Sequence, residues 1–141
     1  MENGKLFRCK KLVRFQHCDP AGIVFYPQYF VLFHEVIEDW FNEGLEIDYA
    51  DFIGNRKLGV PTVKIQGEFF VPSRQGDVLL FSLQVVAIGT SSIQLKLTAM
   101  AGDQLRVQVE QTLVFFSLES RRAMPVPREL RNNMLRFEIQ P

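Results

Sequence analysis

The sequence predicts an α+β domain spanning residues 1–141, with one long helix and an antiparallel sheet. Three observations predict it. Apolar residues recur at three- and four-residue spacing over residues 27–43. From Val60 onward the apolar period changes to two. Two short turn signals, Gly89-Thr90 and Gly102-Asp103, then join successive strands.

Taken in order, residues 6–15 alternate imperfectly and predict a first strand. Phe7, Cys9, Val13 and Phe15 share one face of it, and Arg8, Lys10 and Arg14 the other. The helix follows from Pro27, which suits a first helical position because its missing N–H is not needed there. Tyr29, Phe30, Phe33, Val36, Ile37, Trp40 and Phe41 form its apolar stripe, with Glu35, Glu38 and Asn42 away from it. Gly44 is read as the glycine just past the helix end. Residues 48–55 add a short second helix. Val63, Ile65, Gly67, Phe69 and Val71 define the second strand, and residues 72–77 a loop. Leu79, Phe81, Leu83 and Val85 line the third strand, and Ile93, Leu95, Leu97 and Ala99 the fourth. Leu105, Val107 and Val109 begin a fifth that runs to about Leu118. Pro125 and Pro127 end the sheet before a terminal helix, Arg128–Leu135. One helix covers only part of one sheet face, so the remaining apolar residues require a partner. A homodimer is the minimum expectation.

Composition narrows the function. Lys plus Arg is 16 and Asp plus Glu is 16, and this balance argues against a general nucleic-acid binder, whose affinity comes from neutralising phosphates. No apolar run is long enough for a membrane helix, and Met-Glu-Asn-Gly-Lys shows no signal-peptide core. The two cysteines, Cys9 and Cys18, match no zinc spacing and no disulfide framework. A reduced, cytoplasmic protein is expected. Two histidines and two cysteines without paired spacing predict no metal site. Thirteen phenylalanines mean either a Phe-rich core or interface, or an aromatic pocket.

The segment His17-Cys18-Asp19-Pro20-Ala21-Gly22-Ile23-Val24-Phe25-Tyr26-Pro27 concentrates the chemistry. It sets a carboxylate in a tight turn just before a helix start, where backbone N–H groups lack partners and the dipole is positive. An aspartate there is commonly a cap or turn former. Phe25 and Tyr26 read equally as core packing, and Gly22 as an ordinary turn glycine or a place of close approach.

Asp19-Pro20-Ala21-Gly22-Ile23-Val24-Phe25-Tyr26-Pro27, with Tyr29 two residues on, resembles the signature of the 4-hydroxybenzoyl-CoA thioesterase family of hotdog-fold proteins. Phe70-Val71-Pro72-Ser73-Arg74-Gln75-Gly76-Asp77-Val78-Leu79 resembles that family's strand–loop–strand segment. The resemblance implies a five-stranded antiparallel sheet wrapped around one long helix. It also implies dimers that pair into tetramers, with sites at the subunit interface. The activity implied is hydrolysis of an aromatic (such as hydroxybenzoyl) or a short or medium acyl-CoA. Coenzyme A then enters with the substrate, and no separate cofactor is needed.

By that resemblance Asp19 is the catalytic carboxylate, either attacking the thioester carbonyl or activating water. The Tyr26 backbone amide takes the carbonyl oxygen; one such donor is worth about 3–4 kcal/mol, against about 1 for the dipole alone. Gly22 shapes the loop, and Phe25 and Pro27 flank the substrate. His34 stands where many relatives carry a carboxylate; it borders the apolar stripe, and either lines the site or is structural. Coenzyme phosphates call for cations. Arg74, Arg121, Arg122 and Arg128 are the candidates, with Arg131, Arg136 and Lys57 beside them, and a solvated basic surface is the plainer reading of each. Aromatic-thioester relatives carry a basic run where this chain has the uncharged Gly89-Thr90-Ser91-Ser92. Two rival readings stand beside hydrolysis: a noncatalytic acyl-CoA-binding hotdog protein, and another hotdog enzyme such as a dehydratase. A His17–Cys18 dyad is a third motif to test, although adjacent residues in extended chain point apart.

Overall fold

A computed structural model of the chain describes residues 4–140. The reading of Met1, Glu2 and Asn3 as carrying no signal sequence lies outside them. The chain runs β1 (Phe7–Leu12), α1 (Tyr26–Asp39), α2 (Tyr49–Gly54), β2 (Leu58–Gly59), β3 (Thr62–Phe69), β4 (Val78–Ile88), β5 (Ser92–Ala101), β6 (Gln104–Val114), β7 (Phe116–Ser117), β8 (Arg122–Ala123) and α3 (Arg128–Leu135). The main sheet is antiparallel in the order β1-β4-β5-β6-β3.

Alternation builds the core as expected. Leu79, Phe81, Leu83 and Val85 of β4, Ile93, Leu95, Leu97 and Ala99 of β5, and Val107, Val109 and Leu113 of β6 are all buried. Against them α1 lays Tyr29, Leu32, Phe33, Val36 and Ile37. Phe33 meets Phe81 edge-to-face at 5.2 Å between ring centroids. A second aromatic cluster, Trp40, Phe41, Phe52, Phe115 and Phe137, closes the far end of the helix, so much of the phenylalanine content is core.

Three expectations need correction. Phe15 does not continue the first strand; it belongs to a 3-10 turn, Phe15–His17, and is 79% exposed. α1 does not end on a left-handed Gly44 but passes into a π-helical turn, Trp40–Gly44, in which Leu45 N–H donates to Trp40 O at 2.8 Å. Gly44 is required there for space. A Cβ would stand 2.7 Å from Trp40 Cδ1 and 3.2 Å from Phe7 Cδ1. The strand expected to reach Leu118 stops at Val114. The buried Phe115 ends it, and β7 leaves to form a three-stranded sheet with β2 and β8. Elements of two residues carry too little periodicity to be read from sequence.

Edge strand β3 differs from its neighbours: all eight residues are exposed. Val63, Ile65 and Phe69 are 62%, 41% and 47% exposed, although Ile65 and Phe69 lie opposite Gln111 and Val107, on the face turned to the core.

Candidate active site

The 17–25 segment folds as a miniature hairpin. Cys18 bridges Val24, Asp19 N–H donates to Ile23 O at 3.0 Å, and Phe25 N–H donates to His17 O at 2.9 Å. Its tip is a turn in which Gly22 N–H donates to Asp19 O at 2.9 Å. Gly22 has φ +78°, a conformation that disfavours any residue with a Cβ. Nothing lies within 4 Å of where that Cβ would be, so the requirement is conformational rather than steric. Asp19 Oδ1 accepts Ala21 N–H at 2.9 Å, an Asx-turn. The turn-former reading of Asp19 is therefore correct for Oδ1. No described residue donates to Oδ2, so the carboxylate keeps a face for chemistry.

The two sequence motifs meet in space. Val24 N–H donates to Ser73 O at 2.9 Å, Ile23 pairs with Arg74, and Gln75 N–H reaches Gly22 O at 3.4 Å. The 72–77 loop is thus the second wall of the hairpin. Between the hairpin, the start of α1 and the end of β3 lies a cavity of about 350 Å³. It is lined by Ile23, Val24, Tyr26, Tyr29, Phe69, Phe70, Val71 and Pro72. Its size and apolar lining are those of a small-molecule site. Phe69 is the hub of its aromatic wall, with ring centroids 6.3 Å from Tyr26, 5.8 Å from Tyr29 and 6.2 Å from Phe30.

Helix α1 begins one residue before the expected Pro27. Tyr26 is the first helical residue and Pro27 the second. The amides here divide sharply: Phe25 N–H is spent on His17 O, Pro27 has none, and Gln28 N–H donates to Phe25 O at 2.8 Å. Tyr26 N–H has no backbone acceptor among the described residues, and Tyr26 lines the cavity. Of the amides at the helix start, it is the one able to receive an oxyanion.

Ionisable groups around the loop are tuned by burial and pairing. Burial pushes the His17 imidazole below its ordinary pKa, against the pull of Glu35 and with Arg14 assisting. Its Nδ1 accepts Arg14 N–H at 2.9 Å, which requires that nitrogen unprotonated. Cys18 Sγ is turned to Arg14 O at 3.6 Å. His17 and Cys18 each have other partners, and the structure forms no dyad between them. Burial pushes the Cys9 thiol up to about 11, too high for a nucleophile at neutral pH. Asp77 is held below the usual carboxylate range, first by the Arg74 amide, against burial, with Arg106 adding to it.

The remaining expected residues are scattered. His34 stands on the exposed flank of α1, Nε2 2.9 Å from Glu38 Oε2, outside the lining of the cavity. Glu35 pairs with Lys11 at 3.2 Å. Phe25 is exposed beside Tyr26, 5.6 Å between centroids. Arg74 is exposed and adjoins the hairpin through its pairing with Ile23. Arg121, Arg122 and Arg128 are exposed in the C-terminal segment and make no hydrogen bond to the Asp19 loop. The uncharged Gly89–Ser92 turn is not without a cation, because Arg131 of α3 donates to Gly89 O and Thr90 O. Sequence reasoning missed Arg106. Its place on the polar side of a strand predicts a solvated residue, yet its side chain is only 14% exposed.

Residues 13–134 match the model of the thioesterase-like superfamily. A 1,4-dihydroxy-2-naphthoyl-CoA hydrolase of Thermosynechococcus vestitus is 30% identical over 119 residues, 84% of this chain and 81% of that protein. Another protein of that name, from Nostoc punctiforme, is 27% identical over 124 residues, 88% and 83% of the two chains. Among solved structures, a 1,4-dihydroxy-2-naphthoyl-CoA thioesterase from Synechocystis superposes with a TM-score of 0.83 at 22% identity, covering 92% of this chain and 96% of its own. A thioesterase-superfamily protein from Jannaschia superposes with a TM-score of 0.88 at 20% identity, covering 100% and 98%. The five-stranded antiparallel sheet and central helix define the fold as the hotdog fold. The chain belongs to the thioesterase-like superfamily.

Proposed function

We propose that this hotdog thioesterase hydrolyses an aromatic acyl-CoA. The observation that carries the reading is the arrangement of one eight-residue stretch. Asp19 stands at one end, and at the other stands Tyr26, which lines an aromatic-walled cavity and whose amide has no backbone partner among the described residues. The relatives named as naphthoyl-CoA hydrolases support the aromatic class.

In this reading the acyl ring lies against Phe69, Tyr26 and Tyr29, and the thioester oxygen accepts Tyr26 N–H. Asp19 then takes one of two roles. Its carboxylate adds to the carbonyl carbon, the C–S bond breaks with release of the coenzyme A thiolate, and water cleaves the mixed anhydride. Alternatively it removes a proton from water, which adds to the carbonyl before the thiolate leaves. Either route yields a carboxylic acid and free coenzyme A. In both, negative charge grows on the oxygen held by Tyr26, where a single amide is worth about 3–4 kcal/mol. Arg74 beside the hairpin and Arg131 on the Gly89–Ser92 turn supply cations for the coenzyme phosphates.

The reading includes a second copy of the chain. An eight-residue edge strand with exposed Val63, Ile65 and Phe69 is a template for strand pairing. Pairing there would cover the open side of the cavity wall formed by Phe69.

The test is thiol release from a panel of aromatic, short-chain and long-chain acyl-CoAs. The reading expects turnover with highest kcat/KM on aromatic acyl groups. Preference for a long aliphatic chain would refute the aromatic assignment, and binding without release would refute hydrolysis.

A further inference from the structure

One residue of the second motif grips the chain on both sides of Tyr26. The Ser73 carbonyl accepts Val24 N–H at 2.9 Å, two residues before it. Ser73 Oγ lies 2.7 Å from Tyr29 Oη, three residues after it. Ser73 is fully buried and Tyr29 is 4% exposed, so neither hydroxyl has water as an alternative partner.

Ser73 is itself held from behind. Arg106 Nη1 donates to Ser73 Oγ at 3.1 Å, to Pro72 O at 3.1 Å and to Asp77 Oδ2 at 3.0 Å. The same Asp77 oxygen accepts Arg74 N–H at 2.9 Å. Arginine is a donor only, so Ser73 Oγ accepts its N–H, and the Tyr29 hydroxyl donates to the same oxygen. Each member of the chain Asp77–Arg106–Ser73–Tyr29 therefore has a hydrogen-bond partner within it. Linked buried hydrogen bonds of this kind rigidify the groups they join.

We propose that Ser73 is a positioning residue for the Tyr26 amide, with the Arg106–Asp77 pair fixing Ser73 in turn. The proposal rests on the reading that Tyr26 N–H receives the thioester oxygen. Ser73 touches none of the reacting atoms. It sets the angle at which α1 leaves the hairpin, and so where Tyr26 N–H points. A displacement of about 1 Å at such a donor can cost about 100-fold in rate.

The experiment compares Ser73→Ala, Tyr29→Phe and the double variant with wild type. Ser82→Ala is the control, since it removes a Ser82–Thr98 hydrogen bond elsewhere in the sheet. Tyr29→Phe deletes a single oxygen, which keeps the test alive if Ser73→Ala folds poorly. With 4-hydroxybenzoyl-CoA as probe, both single variants lower kcat by about 10- to 100-fold with KM little changed. The double variant is no worse than the more severe single, because both cut the same link. In ligand-free protein the Tyr26 amide resonance shifts and its hydrogen exchange changes in both, and neither changes in Ser82→Ala. A raised KM with kcat intact, additive losses, or an unmoved Tyr26 amide would overturn the proposal. If wild type releases no thiol, hydrolysis fails as a reading. The amide measurement still decides the positioning: a moved resonance supports it and an unmoved one ends it.

Discussion

Asp19 holds its own turn: Oδ1 accepts the amide of Ala21, two residues along the chain, at 2.9 Å. The side chain proposed for chemistry is thereby also a structural acceptor, and the two roles separate by substitution. Asn keeps an acceptor at Oδ1 and loses the charge; Ala loses both. Asp19→Asn is expected to match wild-type stability in urea unfolding, and Asp19→Ala to lose about 1 kcal/mol. Equal losses in both would mean that the Ala21 bond contributes nothing to the fold.

Phe69 carries the aromatic wall. Three rings converge on it, and each such contact is worth about 0.5–1.5 kcal/mol beyond area burial. An aromatic acyl group would add a further contact of that kind. Phe69→Leu keeps apolar bulk and removes the ring, so it is expected to lower kcat/KM about tenfold for aromatic acyl-CoA. Values for a short aliphatic acyl-CoA should change far less, and parallel losses on both substrates would contradict the role.

The exposed edge strand makes a separate prediction. Ile65→Lys places a charge on the exposed edge strand along which the second copy would pair, and charged edge residues block strand pairing. Light scattering coupled to size exclusion is expected to give a dimer or larger for wild type and a monomer for the variant. A monomeric wild type would remove the second copy from the account.

Acid sensitivity follows from His17. Burial lowers its pKa in the folded chain, so the unfolded chain binds the extra proton first as pH falls. The stabilisation is fully present above the ordinary histidine pKa of about 6.5 and is lost as pH drops through the folded value. Protonation also forfeits the Arg14 N–H bond at Nδ1, which helps set the start of the hairpin. Melting temperature should therefore fall between neutral and mildly acidic pH, and His17→Asn should flatten that slope. An NMR titration placing His17 at or above the ordinary value would contradict it.

Legibility followed periodicity. The main strands and α1 announce themselves because one face is buried and the other is not, as in Leu79, Phe81, Leu83 and Val85. Asp19, Gly22 and Tyr26 were visible as a compact motif, and the structure adds which amide at the helix start lacks a partner. What sequence hid was contact between distant segments. Arg106 and Ser73 are 33 residues apart, and nothing local marks either as one half of a pair. The contact of Arg131 with Gly89 was equally hidden: the residue is visible in the C-terminal arginine cluster, but not that it brings charge to a turn that has none of its own. Gly44 was assigned to the helix end for its backbone freedom, whereas the shape of Trp40 is what requires it.

The central claim is that Asp19 drives hydrolysis of an aromatic acyl-CoA. Thiol release from 4-hydroxybenzoyl-CoA by wild type and Asp19→Asn, at matched folded concentration, tests it most directly. The account predicts release by wild type and a loss of about 10²–10⁴-fold in kcat for the variant. Equal rates from the two proteins would contradict it.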